Sequence, residues 1–214
     1  MTEPMKYGQT EFEVHLPPEL IAAELEPNQV DLPQRTTAEH IRWALDHPID
    51  SAPLKELVKA GDKVCVVISD VTRRWQAPDT YLPILIGELE AAGVRDEDIL
   101  ILSATGTHRR QTEEEHIGLV TKPVYDRIRV EDHVCTDQDN LAYVGTTSRG
   151  TPVWLDKRAL ACDKIILTGG VVYHFMAGFG GGRKSILPGI AGRETIMKNH
   201  NLALNPGIGS GSNP

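Results

Sequence analysis

Three short apolar runs constrain this chain more than anything else in it. Lys63–Ser69 (KVCVVIS), Asp98–Ser103 (DILILS) and Lys164–Leu167 (KIIL) are continuous aliphatic stretches with no polar alternation. That is how strands read when a parallel sheet buries them on both faces. Helical segments separate them. Thr36–Leu45 is capped at Thr36 or Thr37, Leu54–Lys59 is ended by Gly61, and Asp79–Ala92 stops at Gly93. Thr112 with Glu115 has capping-box spacing, and Arg193–Asn201 is helical. The Glu113-Glu114-Glu115 run reads as a helical first turn. Trp43, Tyr81 and the Ile84/Leu85/Leu89 stripe read as core. Glu11–Leu16, Arg127–Val134, 141–145 and 152–155 read as further strands, the last two a hairpin across Ser148-Arg149-Gly150. Residues 19–35 read as a wandering connection. The alternation predicts a doubly wound, mostly parallel α/β sheet with helices on both faces, Rossmann-like.

Ligands in such sheets bind beyond the carboxyl ends of the strands. Three polar segments fall there: Ser69-Asp70-Val71-Thr72-Arg73, Gly106-Thr107-His108, and the long glycine-rich stretch Gly169–His200. With 214 residues, 40% of them hydrophobic, the chain holds one α/β core, expected over residues 1–204. Residues 205–214 (NPGIGSGSNP) read as a linker toward a further, C-terminal domain. A net charge of -8 argues against a nucleic-acid partner. Cys65, Cys135 and Cys162 form no CxxC pair, and Cys65 reads as a buried thiol, so a reducing compartment fits. The segment MTEPMKYGQTEFEV carries no apolar h-region and no apolar run reaches membrane length, so the expected location is cytoplasmic, without membrane.

The stretch Gly169–His200 packs eight glycines around Lys184-Ser185 and two histidines. Such density lets backbone N–H groups approach a ligand closely. Gly178–Ser185 nearly spells a phosphate-binding loop, but Arg183 stands where that loop needs glycine before its lysine. A phosphotransferase reading is therefore disfavoured, while a bound mononucleotide phosphate stays open. Lys184 is either a solvated cation or a covalent tether for a cofactor. His108, His174 and His200 each have an ordinary alternative: a turn residue, a half-buried ring, and a helix-end cation. Together they suit proton transfer from two sides of a substrate. His15, His40, His47, His116 and His133 read as surface or structural. Arg73 beside Asp70 suits a small carboxylate, or simply an ion pair.

SDVTRRW, TGTH, the whole of Gly169–His200 and the following Asn-Pro closely resemble the lactate racemase family of nickel-pincer-nucleotide enzymes. The resemblance runs from about Tyr7 to the end and corresponds to the family's N-terminal domain. It implies a Ni(II)-pyridinium-3,5-bisthiocarboxylic acid mononucleotide, made by dedicated cofactor-synthesis enzymes and joined covalently to Lys184. It implies that Gly181, Gly182, Ser185 and His200 bind this cofactor, with His200 completing the nickel coordination. His108 and His174 match the acid–base pair. Asp70, Thr72 and Arg73 match residues near cofactor and substrate. The implied reaction is racemisation or epimerisation of a small 2-hydroxy acid, lactate by default, by proton-coupled hydride transfer to the pincer ring. The family continues with a second domain that closes the cleft, and that domain, in cis or in trans, is an expected partner. A non-catalytic nucleotide-binding half-domain is the alternative reading. Arg74 departs from the family, which often has proline there.

Overall fold

The structure, a computed structural model, describes residues 2–8, 10–26 and 28–205. The 205–214 linker expectation therefore lies outside the described residues except for Asn205. The chain divides into two compact units, residues 1–34 and the chain from Arg35 onward. In the first, β1 (Thr2–Tyr7) pairs antiparallel with β2 (Thr10–His15). The sequence reading found β2 but not its partner. After β2 and a 3-10 turn at Pro18–Leu20, the connection carries no regular element among its described residues.

The second unit opens with α1 (Thr37–Asp46), capped by Thr36 in a complete capping box with Glu39, and α2 (Leu54–Leu57). Then follow β3 (Val64–Ser69), α3 (Pro78–Ala91), β4 (Ile99–Ala104), α4 (Glu113–Val120), α5 (Lys122–Tyr125) and β5 (Arg129–Asp132). Thr112 and Glu115 make the expected capping box of α4. Next come the antiparallel pair β6 (Leu141–Thr146) and β7 (Pro152–Asp156), then α6 (Lys157–Leu160) and β8 (Lys164–Leu167). The glycine-rich stretch forms the small antiparallel ribbon β9 (Tyr173–His174) and β10 (Gly178–Phe179), a 3-10 turn at Gly182–Ser185, and α7 (Arg193–Asn201).

One parallel sheet organises this unit, in the order β5-β4-β3-β8. Its two faces follow from strand alternation. Val64, Val66 and Ile68 of β3 pack with Leu82, Leu85, Ile86 and Leu89 of α3 and with Leu119 and Val120 of α4. Cys65 and Val67 point the other way, onto Ala159 of α6 and Ile190 of the glycine-rich stretch. Helical segments thus cover both faces, as a doubly wound sheet requires. Burial pushes the Cys65 thiol far up, as its apolar setting demands.

Two expectations need correction. KIIL is not buried on both faces: β8 pairs only with β3 among the described strands, and its residues are exposed or half-exposed. An edge strand carries the same aliphatic composition as a central one, so composition alone did not separate them. Trp43 is 46% exposed and not core. It stacks on His47 one helical turn on, and Arg35 lies over its ring.

Candidate functional site

The strand order creates the site. The chain runs outward from β3 to β4 to β5, then returns to place β8 on the other side of β3. The crevice at such a reversal lies beyond the carboxyl ends of the two diverging strands. Here it is a cleft of about 250 Å³. Ser69 lines it from the end of β3, Ala104–His108 from β4, and Gly170 and Val172 from the segment after β8. Arg73, His174, Gly181, Lys184, Ser185 and His200 line it too. All three polar segments picked out from the sequence meet here, with Lys184 and the three singled-out histidines on one wall or another. Asp70, Thr72 and Gly182 are not among the lining residues.

Asp70 stands directly behind His108. It is 2% exposed, and its carboxylate accepts the Thr72 N–H at 3.1 Å and the Thr72 hydroxyl at 2.5 Å. The other carboxylate oxygen accepts a short hydrogen bond from His108 Nδ1. Arg73 lies 3.7 Å from Asp70 and donates to the Thr72 hydroxyl at 3.3 Å. The Thr72 hydroxyl therefore serves the Asp70 turn. Because a carboxylate can only accept, His108 carries its proton on Nδ1 and leaves the Nε2 lone pair free.

His174 has the opposite arrangement. Its Nδ1 accepts the backbone N–H groups of Met176 and Ala177, each at 3.2 Å, so its neutral ring carries the proton on Nε2. Burial, followed by the charges of Lys184, Arg73 and His200, lowers its pKa. Lys184 is also lowered, by burial and then by Arg73. Both shifts express cations converging on one partly desolvated space. His200, on the last turn of α7, has a buried Nδ1 with no hydrogen-bond partner.

The glycines pack the walls of the cleft as much as they line it. A Cβ at Gly189 would fall 2.2 Å from the Ser185 carbonyl oxygen, and one at Gly181 (φ +71) would fall 3.0 Å from that of Gly170. The Gly106 N–H donates to the Gly189 carbonyl at 2.9 Å, joining the His108 loop to the Lys184 turn. The stretch is no phosphate-binding loop of the strand–loop–helix kind. Lys184 sits on a 3-10 turn after a ribbon, and the helix begins only at Arg193. The loop geometry on which the phosphotransferase alternative rested is therefore absent here.

Sequence reasoning missed the supports behind the site. Gln111 donates its backbone N–H and its amide to Asp132, at 2.7 and 2.8 Å, and accepts the Val71 N–H at 2.6 Å. It thereby ties the loop bearing His108 to the turn bearing Asp70. His116 meets the same carboxylate at 2.9 Å. Burial alone would raise the Asp132 pKa, but the hydrogen bonds from His116 and Gln111 outweigh it and hold it low. A second group anchors α7. Buried His133 bridges Asp156 and the Ala191 carbonyl, both at 2.9 Å, and Arg158 also grips Asp156. Burial would raise the Asp156 pKa, yet Arg158 and His133 hold it at about 2. His116 and His133 are thus structural, as expected. Nothing in their spacing announced their partners.

The fold is thus that of an α/β domain with one parallel sheet, and Arg73, Lys184 and three histidines line the cleft at its switch point. The family model described as the lactate racemase N-terminal domain matches residues 7–211, and this chain belongs to that family. It is 37% identical over 163 residues to a lactate racemase of Lactiplantibacillus plantarum, covering 76% of this chain and 38% of that protein. It is 31% identical over 195 residues to a lactate racemase of Thermoanaerobacterium thermosaccharolyticum, covering 91% of this chain and 45% of the relative. The chain thus spans less than half the length of these curated relatives. The solved lactate racemase apoprotein from T. thermosaccharolyticum superposes with a TM-score of 0.80 at 31% identity, over 99% of this chain and 49% of that one. A protein from Thermotoga maritima matches with a TM-score of 0.61 at 28% identity, over 77% of this chain and 40% of that one. No helix among the described residues is long and apolar enough to cross a membrane.

Proposed function

We propose that this chain is the N-terminal, cofactor-bearing half of a 2-hydroxy acid racemase, with lactate as the default substrate. One observation carries the reading: His108 and His174 line the same cleft, and each ring is held through its Nδ1, His108 by Asp70 and His174 by the backbone of Met176 and Ala177. A racemase needs both, because the hydroxyl proton must leave in one direction of reaction and return in the other. His108 Nε2, backed by Asp70, takes the hydroxyl proton of one enantiomer and returns it when that enantiomer re-forms; His174 does the same for the opposite enantiomer after its proton has moved from Nε2 to Nδ1, which costs it the Met176 and Ala177 contacts. Arg73 is the group to pair with the substrate carboxylate.

The nickel-pincer nucleotide fits the residues that would hold it. Its lowered pKa gives Lys184 a larger share of free amine, which suits attachment to an acid group. The buried, unpartnered His200 Nδ1 is evidence of a ring whose hydrogen bonding is incomplete, and imidazole suits nickel. His200, which lines the cleft with Lys184, is the residue that would hold the nickel the nucleotide brings. When bound, the cofactor would supply an acceptor for the C2 hydride, which histidine cannot remove as a proton from so weak an acid. A second domain, in this chain's own protein or in a partner, would close the cleft over these groups.

The test is co-production with the cofactor-synthesis enzymes and with the C-terminal half of a relative. Racemisation of lactate, nickel in the protein and a mass adduct on Lys184 are expected together. His108→Ala and His174→Ala should each lower kcat by about 10²–10⁴. An unmodified Lys184 in nickel-free protein would overturn the reading.

A further inference from the structure

Gln111 does not line the cleft, yet its hydrogen bonds join the two segments that deliver His108 and Asp70 to it. It is half-buried and stands immediately before Thr112, the N-cap of α4. Both ends of its side-chain amide are engaged. Nε2 donates to Asp132 at 2.8 Å, and Oε1 accepts the Val71 N–H at 2.6 Å. Its backbone N–H donates to the second Asp132 oxygen at 2.7 Å. Asp132 is 9% exposed and ends β5, in register with Ser103 of the interior strand β4. His116 Nε2 reaches the same carboxylate at 2.9 Å. The carboxylate is thus a fixed point of the sheet, and Gln111 extends it to the turn after β3.

The Val71 N–H belongs to the peptide unit whose carbonyl is that of Asp70. That carbonyl accepts the Arg73 N–H at 3.0 Å. One peptide plane is therefore held from both sides, by Gln111 at its N–H and by Arg73 at its C=O. Holding the plane holds ψ of Asp70, which is 177°, and with it the direction of the side chain. One Asp70 oxygen is taken by Thr72, which leaves the other for His108 Nδ1. His108 itself lies three residues before Gln111, with its N–H on the Thr105 carbonyl at 2.9 Å. One amide therefore constrains both partners of the hydrogen bond that fixes the His108 tautomer. Glutamine suits the position because it supplies a donor and an acceptor at this reach. Asparagine is one methylene shorter, and glutamate has no donor and would bring a second carboxylate to Asp132.

We propose that Gln111 is a positioning residue for the acid–base chemistry: it holds the Asp70 carboxylate on His108 Nδ1 and so keeps Nε2 as the open nitrogen of that ring. It acts through the Asp70 turn and not on the ligand. The inference rests on His108 being an acid–base residue of the proposed racemase.

The experiment records ¹⁵N spectra of the histidine rings in the whole 214-residue chain, which read the tautomers without substrate or cofactor. Gln111→Leu is expected to give His108 a mixture of tautomers, as Asp70→Ala does, and to leave His174 protonated at Nε2. Gln111→Glu should do the same by repelling Asp132. Adding Asp132→Asn to Gln111→Glu should restore the His108 signal, because donor and acceptor exchange places across one contact while the neutral His116 ring turns acceptor at Nε2. Arg109→Ala is the control. Arg109 ties the same loop to Glu115, with both bonds at 2.7 Å, and its exposed ion pair makes no hydrogen bond to the Asp70 turn. Its loss should leave His108 unchanged. A single Nδ1–H tautomer of His108 in folded Gln111→Leu overturns the inference, as does an equal change in Arg109→Ala. If Gln111→Leu does not fold, the exchanged pair decides: a restored signal supports the inference and a mixed one overturns it. In cofactor-loaded enzyme joined by the C-terminal half of a relative, Gln111→Leu should lower kcat about 10–100-fold and leave KM within about twofold. A parent that fails to racemise lactate while the tautomer shift is still seen overturns the racemase reading and leaves the coupling of Gln111 to His108 standing. An active parent with unchanged tautomers in the variants overturns the coupling alone.

Discussion

His108 and His174 face one cleft with their ring nitrogens in opposite roles: Nδ1 of His108 donates to Asp70, and Nδ1 of His174 accepts from the backbone of Met176 and Ala177. The fold therefore sets the two tautomers before any ligand arrives. ¹⁵N spectra of the neutral imidazoles should show His108 protonated at Nδ1 and His174 protonated at Nε2. Asp70→Ala should release His108 into a mixture of tautomers and leave His174 unchanged. The same tautomer on both rings would contradict the geometry.

Burial, and then the cations around it, set the titration of His174. Its pKa lies below the ordinary histidine value, through burial first, then Lys184, Arg73 and His200. A lowered value means that the ring stays neutral as pH falls past the point where a free histidine would charge. Removing a neighbouring cation must move the midpoint upward. Lys184→Met should move it further than Arg73→Met, and an NMR titration of the ring reads both.

Lys184 should be acylated ahead of the exposed lysines. Burial and Arg73 disfavour its ammonium form, so its amine is free at lower pH than a solvent-exposed lysine's. Limited acylation at neutral pH, followed by peptide mass spectrometry, should modify Lys184 ahead of exposed Lys6 and Lys198. Arg73→Met should reduce that selectivity.

The Asp156 site should govern acid stability. Its carboxyl falls from an ordinary 3.8 to about 2 in the folded protein. A depressed carboxyl stabilises the fold above its unfolded pKa and loses that contribution as pH falls through the folded one. About 2 kcal/mol should disappear between about pH 5 and pH 2. His133→Ala strips a buried partner from Asp156 and should cost about 3 kcal/mol at neutral pH. Urea unfolding across this pH range tests both, and a flat profile between pH 5 and 2 for the parent chain would count against the assignment.

The cleft could be read from the sequence because its parts sit where strand periodicity ends. Ser69, Gly106 and Gly169 each follow an aliphatic run, and a parallel sheet brings such positions to one rim whatever their separation along the chain. Capping chemistry is equally local, so the starts of α1 and α4 were legible from Thr36 and Thr112. What could not be read was pairing at a distance. Gln111 reaches Asp132 and Val71, and His133 reaches Asp156 and Ala191, through contacts that leave no mark in residue spacing. The edge position of β8 and the exposure of Trp43 were hidden for a related reason: aliphatic or aromatic character permits burial without requiring it.

Parallel strands have a second rim, and here it is far from the chemistry. The turns at Gly61, Gly93, Asp126 and Asp163 all lead into strand starts, opposite the ends that carry Asp70, His108 and Lys184. Lys59, two residues before Gly61, is exposed, whereas Gly61 itself has φ +87, where any side chain is strained. A dye, spin label or immobilisation tag attached at Lys59 would hold the molecule from behind and leave the cleft facing the solution.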